Sequence, residues 1–267
     1  MDTAKRKSQS DLPGNNRRHA HSTCYFGTGP MQIEHSEFQD HLVRGLAHRM
    51  NNILTLFHGY VGLLLDSKGL DKATLEGLGK IQDGAKTASD LMDRANSLVR
   101  PPTVVWREVK LGEFVRMLKP SFDTLRGPKT KLVLDIPDDL LPIRTDAVRV
   151  KTAVFELVRN ALEATFASGG TVRIELRTEP KPPGNHARQA IPWISIRVID
   201  DGHGIPEELA ERIYQPFFST RKKRSATGLG LPVVAGFVAQ HGGLLRHTSK
   251  PGETAFEMLL PSRGEAN

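Results

Sequence analysis

The run WISIRVID, residues 193–200, alternates like a β-strand and ends on Asp200, and Asp201-Gly202-His203-Gly204-Ile205 follows at once. Gly202 and Gly204 let the backbone turn tightly and approach a flat ligand, while the Asp200 carboxylate can accept a hydrogen bond from an exocyclic amine, a contact that selects adenine over guanine. Upstream, Glu156 and Asn160 stand four apart in ELVRNALEA and so share one face of a helix. An Asn side-chain oxygen such as that of Asn160 suits Mg²⁺ held between phosphates. Downstream lies PFFSTRKKRSATGLGLPVV, in which Phe217 and Phe218 are set to anchor a loop and Arg221 and Lys222 open a basic run to Arg224. Thr227-Gly228-Leu229-Gly230 then lead into a helix, whose glycine-rich N-terminus would expose N–H groups to a triphosphate. Taken singly, each feature has a plain structural reading: a capped strand-to-loop turn, a polar helix face, a solvated basic surface, a flexible hinge.

Elements that could position these residues are legible around them. KLVLDI at 131–136, TVRIEL at 171–176, WISIRVID and TAFEMLL at 254–260 read as strands. Between the first two, DAVRVKTAVFELVRNALEATF places Val150, Val154, Leu157 and Leu162 on one helical face, and LPVVAGFVAQHGG offers a second helix closed by Gly242. Residues 108–263 are therefore expected to form an α/β sandwich, with EPKPPGNHARQA at 179–190 as a surface loop.

The preceding stretch has a helical texture. Leu46, Met50, Ile53, Phe57, Val61 and Leu64 draw one stripe along a helix, and Asp66, Ser67, Lys68 and Gly69 break it. Leu78, Ile81, Ala85, Ala88, Met92, Ala95 and Val99 draw a second stripe, which stops at Pro101-Pro102. Residues 37–102 thus predict an antiparallel hairpin, and because a lone hairpin leaves much of its stripe wet, pairing with a second copy into a four-helix bundle is expected. His48 is two residues from Leu46, about 200° around the helix, so it is expected to point away from the stripe, with Asn52 and Thr55 on its face. Residues 1–36 are polar and without apolar period, and read as a disordered leader.

Composition excludes several classes. The 267 residues leave room for two modest domains, and 38% hydrophobic with 25% charged residues is ordinary globular chemistry. The longest apolar run near the N-terminus is VGLLL, ended by Asp66, so no membrane helix is expected, and the leader lacks the apolar core of a secretory signal. A single cysteine, Cys24, fits a reducing compartment, and a cytoplasmic location is expected. The net charge of +7 comes from 37 basic residues interspersed with 30 acidic ones, with no helix-turn-helix or zinc-finger pattern, so nucleic acid is an unlikely partner.

In series, ELVRNALEA, DDGHGI, PFFSTRKKRSATGLGL and QHGG with SKPGETAFEMLLP resemble the ATP-binding domain shared by sensor histidine kinases, DNA gyrase, a heat-shock chaperone family and mismatch-repair ATPases. The resemblance covers about residues 108–262, and the ending is most similar to histidine kinases. It implies that Asn160 holds Mg²⁺, that Asp200 binds adenine, and that Gly228 and Gly230 border a mobile ATP lid. AHRMNNILT likewise resembles the phosphoacceptor box of dimeric histidine kinases, which implies His48 as acceptor and Asn52 at the matching position. Most such boxes carry an acid directly after the histidine, whereas this chain has Arg49, as the HWE-type minority does. Gly45, Asn51, Arg44 and Asn52, one turn away, supply no carboxylate either. An imidazole of ordinary pKa, about 6.5, is mostly neutral at pH 7, so slow autokinase is expected rather than none.

The combined expectation is an α+β chain and a dimeric histidine protein kinase that uses ATP and Mg²⁺ and passes phosphate from His48 to the receiver domain of a response regulator. The leader makes a poor sensor, so input is expected from a separate sensor protein or from sequence beyond this chain. Two alternatives stay open: a homologue dominated by phosphatase or phosphotransfer activity, with Asn52 orienting water, and a non-kinase ATPase or interaction module of the gyrase type.

Overall fold

The structure, a computed structural model, describes residues 22–26, 37–99, 103–179, 191–220 and 227–262, with the backbone alone for 22–26, 37–44, Leu46, His48 and Val99. The rest of the expected leader, most of the 179–190 loop and the basic run with Arg221 and Lys222 lie outside the described residues.

Helices α1 (Glu37–Leu65) and α2 (Lys72–Val99) form the hairpin. Asp71 Oδ1 accepts the Thr74 N–H at 2.7 Å, and Gly69, at φ 89°, takes the left-handed turn that other residues resist. The single stripe expected along α1 is in fact two faces. Ala47, Leu54 and Val61, spaced seven apart, are buried with Leu78 and Ala85 of α2, whereas Ile53, Leu56, Phe57, Tyr60, Leu63 and Leu64 are exposed, Leu63 by 69%. The apolar arc of α1 is wider than one partner helix can cover, and the expected stripe mixed its two sides.

The second unit packs three helices, α3 (Leu111–Leu125), α4 (Ala147–Thr165) and α5 (Gly230–Gln240), on one face of a sheet. Its strands are β1 (Ser22–Phe26), β3 (Thr130–Asp135), β5 (Gly170–Glu179), β6 (Trp193–Asp200), β7 (Leu244–Lys250) and β8 (Glu253–Pro261). They run in the order β1-β7-β8-β6-β5-β3, antiparallel except for the β3–β5 pair, while β2 (Arg107–Val109) and β4 (Ile143–Thr145) make a separate ribbon. Val150, Ala153, Val154, Leu157, Val158, Ala161 and Leu162 of α4 are buried against Ile174, Leu176, Ile196 and Val198 of β5 and β6. On the opposite face, Glu175, Arg197, Glu257 and Arg246 stand in register across four neighbouring strands, so alternating charges cover what apolar residues leave open.

Three elements depart from expectation. Helix α3 was hidden by Pro120, which reads as a breaker, yet Leu111, Val115, Leu118 and Phe122 bury one stripe on both sides of it. Strand β7 was hidden by His247, a polar residue in a core position, buried beside Tyr214, whose hydroxyl meets His247 Nδ1 at 2.9 Å. The expected leader carries β1, which pairs with the edge strand β7, Cys24 opposite His247. An edge strand presents unpaired N–H and C=O groups, and STCYF has the β-branched and aromatic content that suits such pairing.

Asp146 closes the joint between the two units. Its Oδ1 caps α4 by accepting the Val148 and Arg149 N–H groups at 3.0 and 3.2 Å, and its Oδ2 accepts the N–H of Val105, in the segment leading out of the hairpin, at 3.0 Å. Burial alone would raise its pKa, but these N–H groups outweigh burial and hold the carboxyl below the ordinary range. Asp146→Ala is expected to lower stability by about 1–2 kcal/mol in urea denaturation, with Asp146→Asn closer to wild type.

Candidate active site

The end of β6 meets the C-terminal turns of α4 and the start of α5, and between them opens a cavity. Asn160, Arg159 and Glu163 of α4 line one side, Asp200 its floor, and Thr227, Gly228 and Gly230 the side toward α5. Ile205, Leu209, Ile213, Leu231 and Phe256 supply apolar wall. A slot of apolar sides with one carboxylate at its end suits a flat heterocycle carrying an amine.

Asp200 is 4% exposed, and its Oδ1 accepts the Gly202 N–H at 3.0 Å. Burial without a cation at hand pushes its pKa up to about 6, although the Gly202 bond and His203 pull the other way. Both glycines of the turn are required sterically. A Cβ on Gly202 would come within 2.7 Å of Asp200 Oδ1, and Gly204, at φ 81°, would bring one within 2.8 Å of the Lys250 carbonyl. Ser249 Oγ accepts the Ile205 N–H at 2.8 Å and the Gly202 carbonyl accepts the Gly252 N–H at 3.0 Å, so the turn is pinned to the β7–β8 end.

The loop between β6 and α5 is clasped at its base: the Phe217 N–H donates to the Gly228 carbonyl at 3.0 Å. Gly228 has φ 66°, and a Cβ there would come within 2.5 Å of Phe217. Phe217 itself has φ 65° and is 66% exposed, so of the two phenylalanines expected as anchors only Phe218 enters the cavity wall, with the Arg212 guanidinium 4.4 Å from its ring centre. A non-glycine residue at such φ stores strain that the Phe217–Gly228 clasp must hold.

The structure brings Asn160, Asp200, Gly204, Thr227, Gly228 and Gly230 to one cavity, with Gly202 and Leu229 behind its wall. Glu156, expected beside the nucleotide, is placed elsewhere: it is buried and its carboxylate pairs with Arg94 of α2 at 2.7 Å and with Arg159. Two guanidinium groups outbid the cavity for it. Arg159, Glu163, His203 and Thr254 line the cavity without having been singled out; the spacing of Arg159 and Glu163 within ELVRNALEA was the available signal. Among the described residues, no three His, Cys, Asp or Glu side chains gather into a metal site. The side-chain oxygens of Asn160 and Glu163 are hard donors on the cavity wall, a chemistry that suits a Mg²⁺ held chiefly by phosphates and water. On the hairpin, Arg49 and Asn52 are exposed, and His48 lies in α1 with its side chain outside the described residues. No helix among the described residues is long and apolar enough to cross a membrane.

Comparison with known proteins agrees with this geometry. Residues 145–264 match the family of histidine kinase-, DNA gyrase B-, and HSP90-like ATPases, so the cavity is that of an ATPase domain of this class. The chain is 30% identical over 227 residues to the sensor kinase CckA of Brucella abortus, covering 82% of this chain and 24% of that protein. It is 33% identical over 225 residues to the sensory histidine kinase/phosphatase NtrB of Klebsiella oxytoca, covering 83% of this chain and 62% of that one. The fold matches full-length ShkA, solved in complex with AMPPNP, with a TM-score of 0.69 at 19% identity over 85% of this chain and 47% of that one. Over about four fifths of its length the chain is thus similar to sensor histidine kinases, and residues 145–264 match the ATPase domain of that class. It spans about three fifths of the NtrB relative and about a quarter of CckA.

The raised pKa of Asp200 gives a pH prediction. An amine donor favours the ionised carboxylate, so a base that binds against Asp200 is expected to expel the proton that the carboxyl holds below about pH 6. ATP affinity is expected to fall as pH drops through about 6, a step that Asp200→Asn removes while weakening ATP binding at pH 7.5 by on the order of 1–3 kcal/mol. Calorimetric titration across pH 5 to 8 measures both; an unchanged affinity in Asp200→Asn would refute the assignment.

Proposed function

We propose that the chain is a histidine protein kinase: ATP with Mg²⁺ binds in the cavity, its γ-phosphoryl group is transferred to His48, and the phosphohistidine serves an aspartate on a response regulator. The observation that carries the reading is the joint placement of Asp200, Asn160 and the Gly228–Gly230 segment around one slot, behind a hairpin that bears His48. In the transfer, an imidazole nitrogen of His48 forms the N–P bond, the bond from phosphorus to the β,γ-bridging oxygen breaks, ADP leaves, and the imidazole proton passes to solvent or a base. Phosphoryl transfer needs positioning and charge neutralisation rather than covalent help. Asp200 orients the base, Asn160 would hold Mg²⁺ on the phosphate side, and N–H groups at the start of α5 face the phosphates. Mg²⁺, when bound, supplies neutralisation of the developing charge.

A dimer belongs to the same reading, since the exposed apolar face of α1 is what a second hairpin would cover. A response regulator as partner is supported by the neighbouring fold of ThkA, solved in complex with the response regulator protein TrrA, at a TM-score of 0.52 and 19% identity. A cytoplasmic setting completes the reading. A second reading, in which phosphatase or phosphotransfer activity dominates, is favoured by the exposed Arg49 where an acid would assist proton removal, and by relatives named kinase/phosphatase.

Incubation with γ-labelled ATP is expected to give acid-labile phosphate on the chain, abolished in His48→Gln with nucleotide binding intact; labelling of His48→Gln at the wild-type level would sink the assignment. Arg49→Glu is expected to raise the single-turnover rate, visibly so because a general base contributes about 10²- to 10⁴-fold. Slowing in both Arg49→Glu and Arg49→Ala would instead make Arg49 a phosphate-neutralising group.

A further inference from the structure

The wall of the cavity depends on a charge that its own unit does not supply. Glu156 is buried to 1% exposure, and its two oxygens go to guanidinium groups on different elements: Oε1 to Arg94 of α2 at 2.7 Å, Oε2 to Arg159 one turn further along α4. Oε2 also lies under the first residue of α5, since a Cβ on Gly230 would come within 2.6 Å of it, and the N-cap Leu229 makes no side-chain cap of its own. Arg159 faces two ways. It pairs with Glu156 and lines the cavity, and its buried Nε makes no hydrogen bond, the Glu163 carboxylate being 3.9 Å away.

The neighbouring residue in α2 ties the same place to α1. Asp93 Oδ1 accepts a hydrogen bond from Asn51 Nδ2 at 3.1 Å, and Asn51 follows His48 by three residues. Consecutive residues of α2 therefore hold α1 on one side and α4 on the other.

From this arrangement, and resting on the nucleotide reading of the cavity, we infer that Arg94 is a positioning residue through which the hairpin sets the affinity of the cavity for phosphate. A buried carboxylate must keep a cation. With Arg94 on Glu156, Arg159 has donors to spare for the phosphates of a nucleotide. With Arg94 withdrawn, Glu156 retains Arg159 for itself, and the phosphate side of the cavity loses a cation. The coupling is reciprocal: phosphate that draws on Arg159 leaves Glu156 to Arg94, and so favours the hairpin in its docked place.

The test uses the whole chain and two probes, ATP and adenosine, titrated in the presence of Mg²⁺ onto wild type, Arg94→Ala, Arg94→Lys, Arg159→Ala and the Arg94→Ala/Arg159→Ala double variant. Arg94→Ala is expected to weaken ATP about fivefold or more, in the usual range of site-to-site coupling, and to leave adenosine unchanged. Arg94→Lys is expected to keep most of the ATP affinity, and Arg94→Ala to cost ATP no more than adenosine once Arg159 is gone. Adenosine binding also reports that each variant is folded. Equal ATP affinity in wild type and Arg94→Ala, an equal loss for ATP and adenosine, or additive losses in the double variant would each overturn the inference. Failure of the unmodified chain to bind either probe would overturn the nucleotide reading, and this inference with it.

Discussion

The packing of α4 on β5 and β6 is the constraint from which the site follows. Seven apolar residues of α4 are buried on the sheet, which fixes the rotation of the helix about its axis and so decides which of its polar residues face the cavity. Asn160 and Arg159 lie at the edge of that buried stripe, and the strand that the helix covers ends on Asp200. The distance between Asn160 and Asp200 is thus set by core packing rather than by a loop. Close-packed interiors resist small displacements, so a site built this way keeps its geometry.

Two buried carboxylates show how environment divides the same chemistry. Asp200 has apolar neighbours and backbone N–H, with no guanidinium on it, and its pKa is pushed up to about 6, so near neutrality it stands ready to gain from an incoming amine. Glu156, equally buried and on the adjacent helix, is answered by Arg94, Arg159 and the start of α5. One faces the cavity without a guanidinium partner and the other is consumed by the protein. Spacing alone could not separate them, because Glu156 and Asn160 do share a helix face in sequence and diverge only through the cations that meet them.

That contrast marks how far the sequence could be read. Strand β6, its terminal Asp200 and the glycines after it were legible because alternation, a strand end and positive φ are local properties, and the structure shows Gly204 and Gly228 in the left-handed region. The apolar faces of α4 and α5 were legible for the same reason. What escaped depends on contacts between distant segments: Leu111–Leu125 is helical despite Pro120 because its stripe finds the core, His247 sits inside because Tyr214 meets it, and Ser22–Phe26 is a strand because β7 offers an edge. The two faces of α1 were merged because an isolated helix does not say which side its neighbour takes.

Several directional polar contacts join the hairpin to the second unit. Asp146 draws in the backbone at Val105, Arg94 reaches Glu156, and His241 is enclosed by Trp106, Thr145 and Phe237 where the connecting segment enters the second unit. Most buried apolar residues cluster within one unit or the other, and α1 leaves a run of its own exposed. Hydrogen bonds and ion pairs are directional, so these contacts favour one arrangement of the joint. The burial of Glu156 keeps the joint from being indifferent: a carboxylate at 1% exposure does not give up a guanidinium without a replacement, and the replacement available is Arg159, in the wall of the nucleotide cavity.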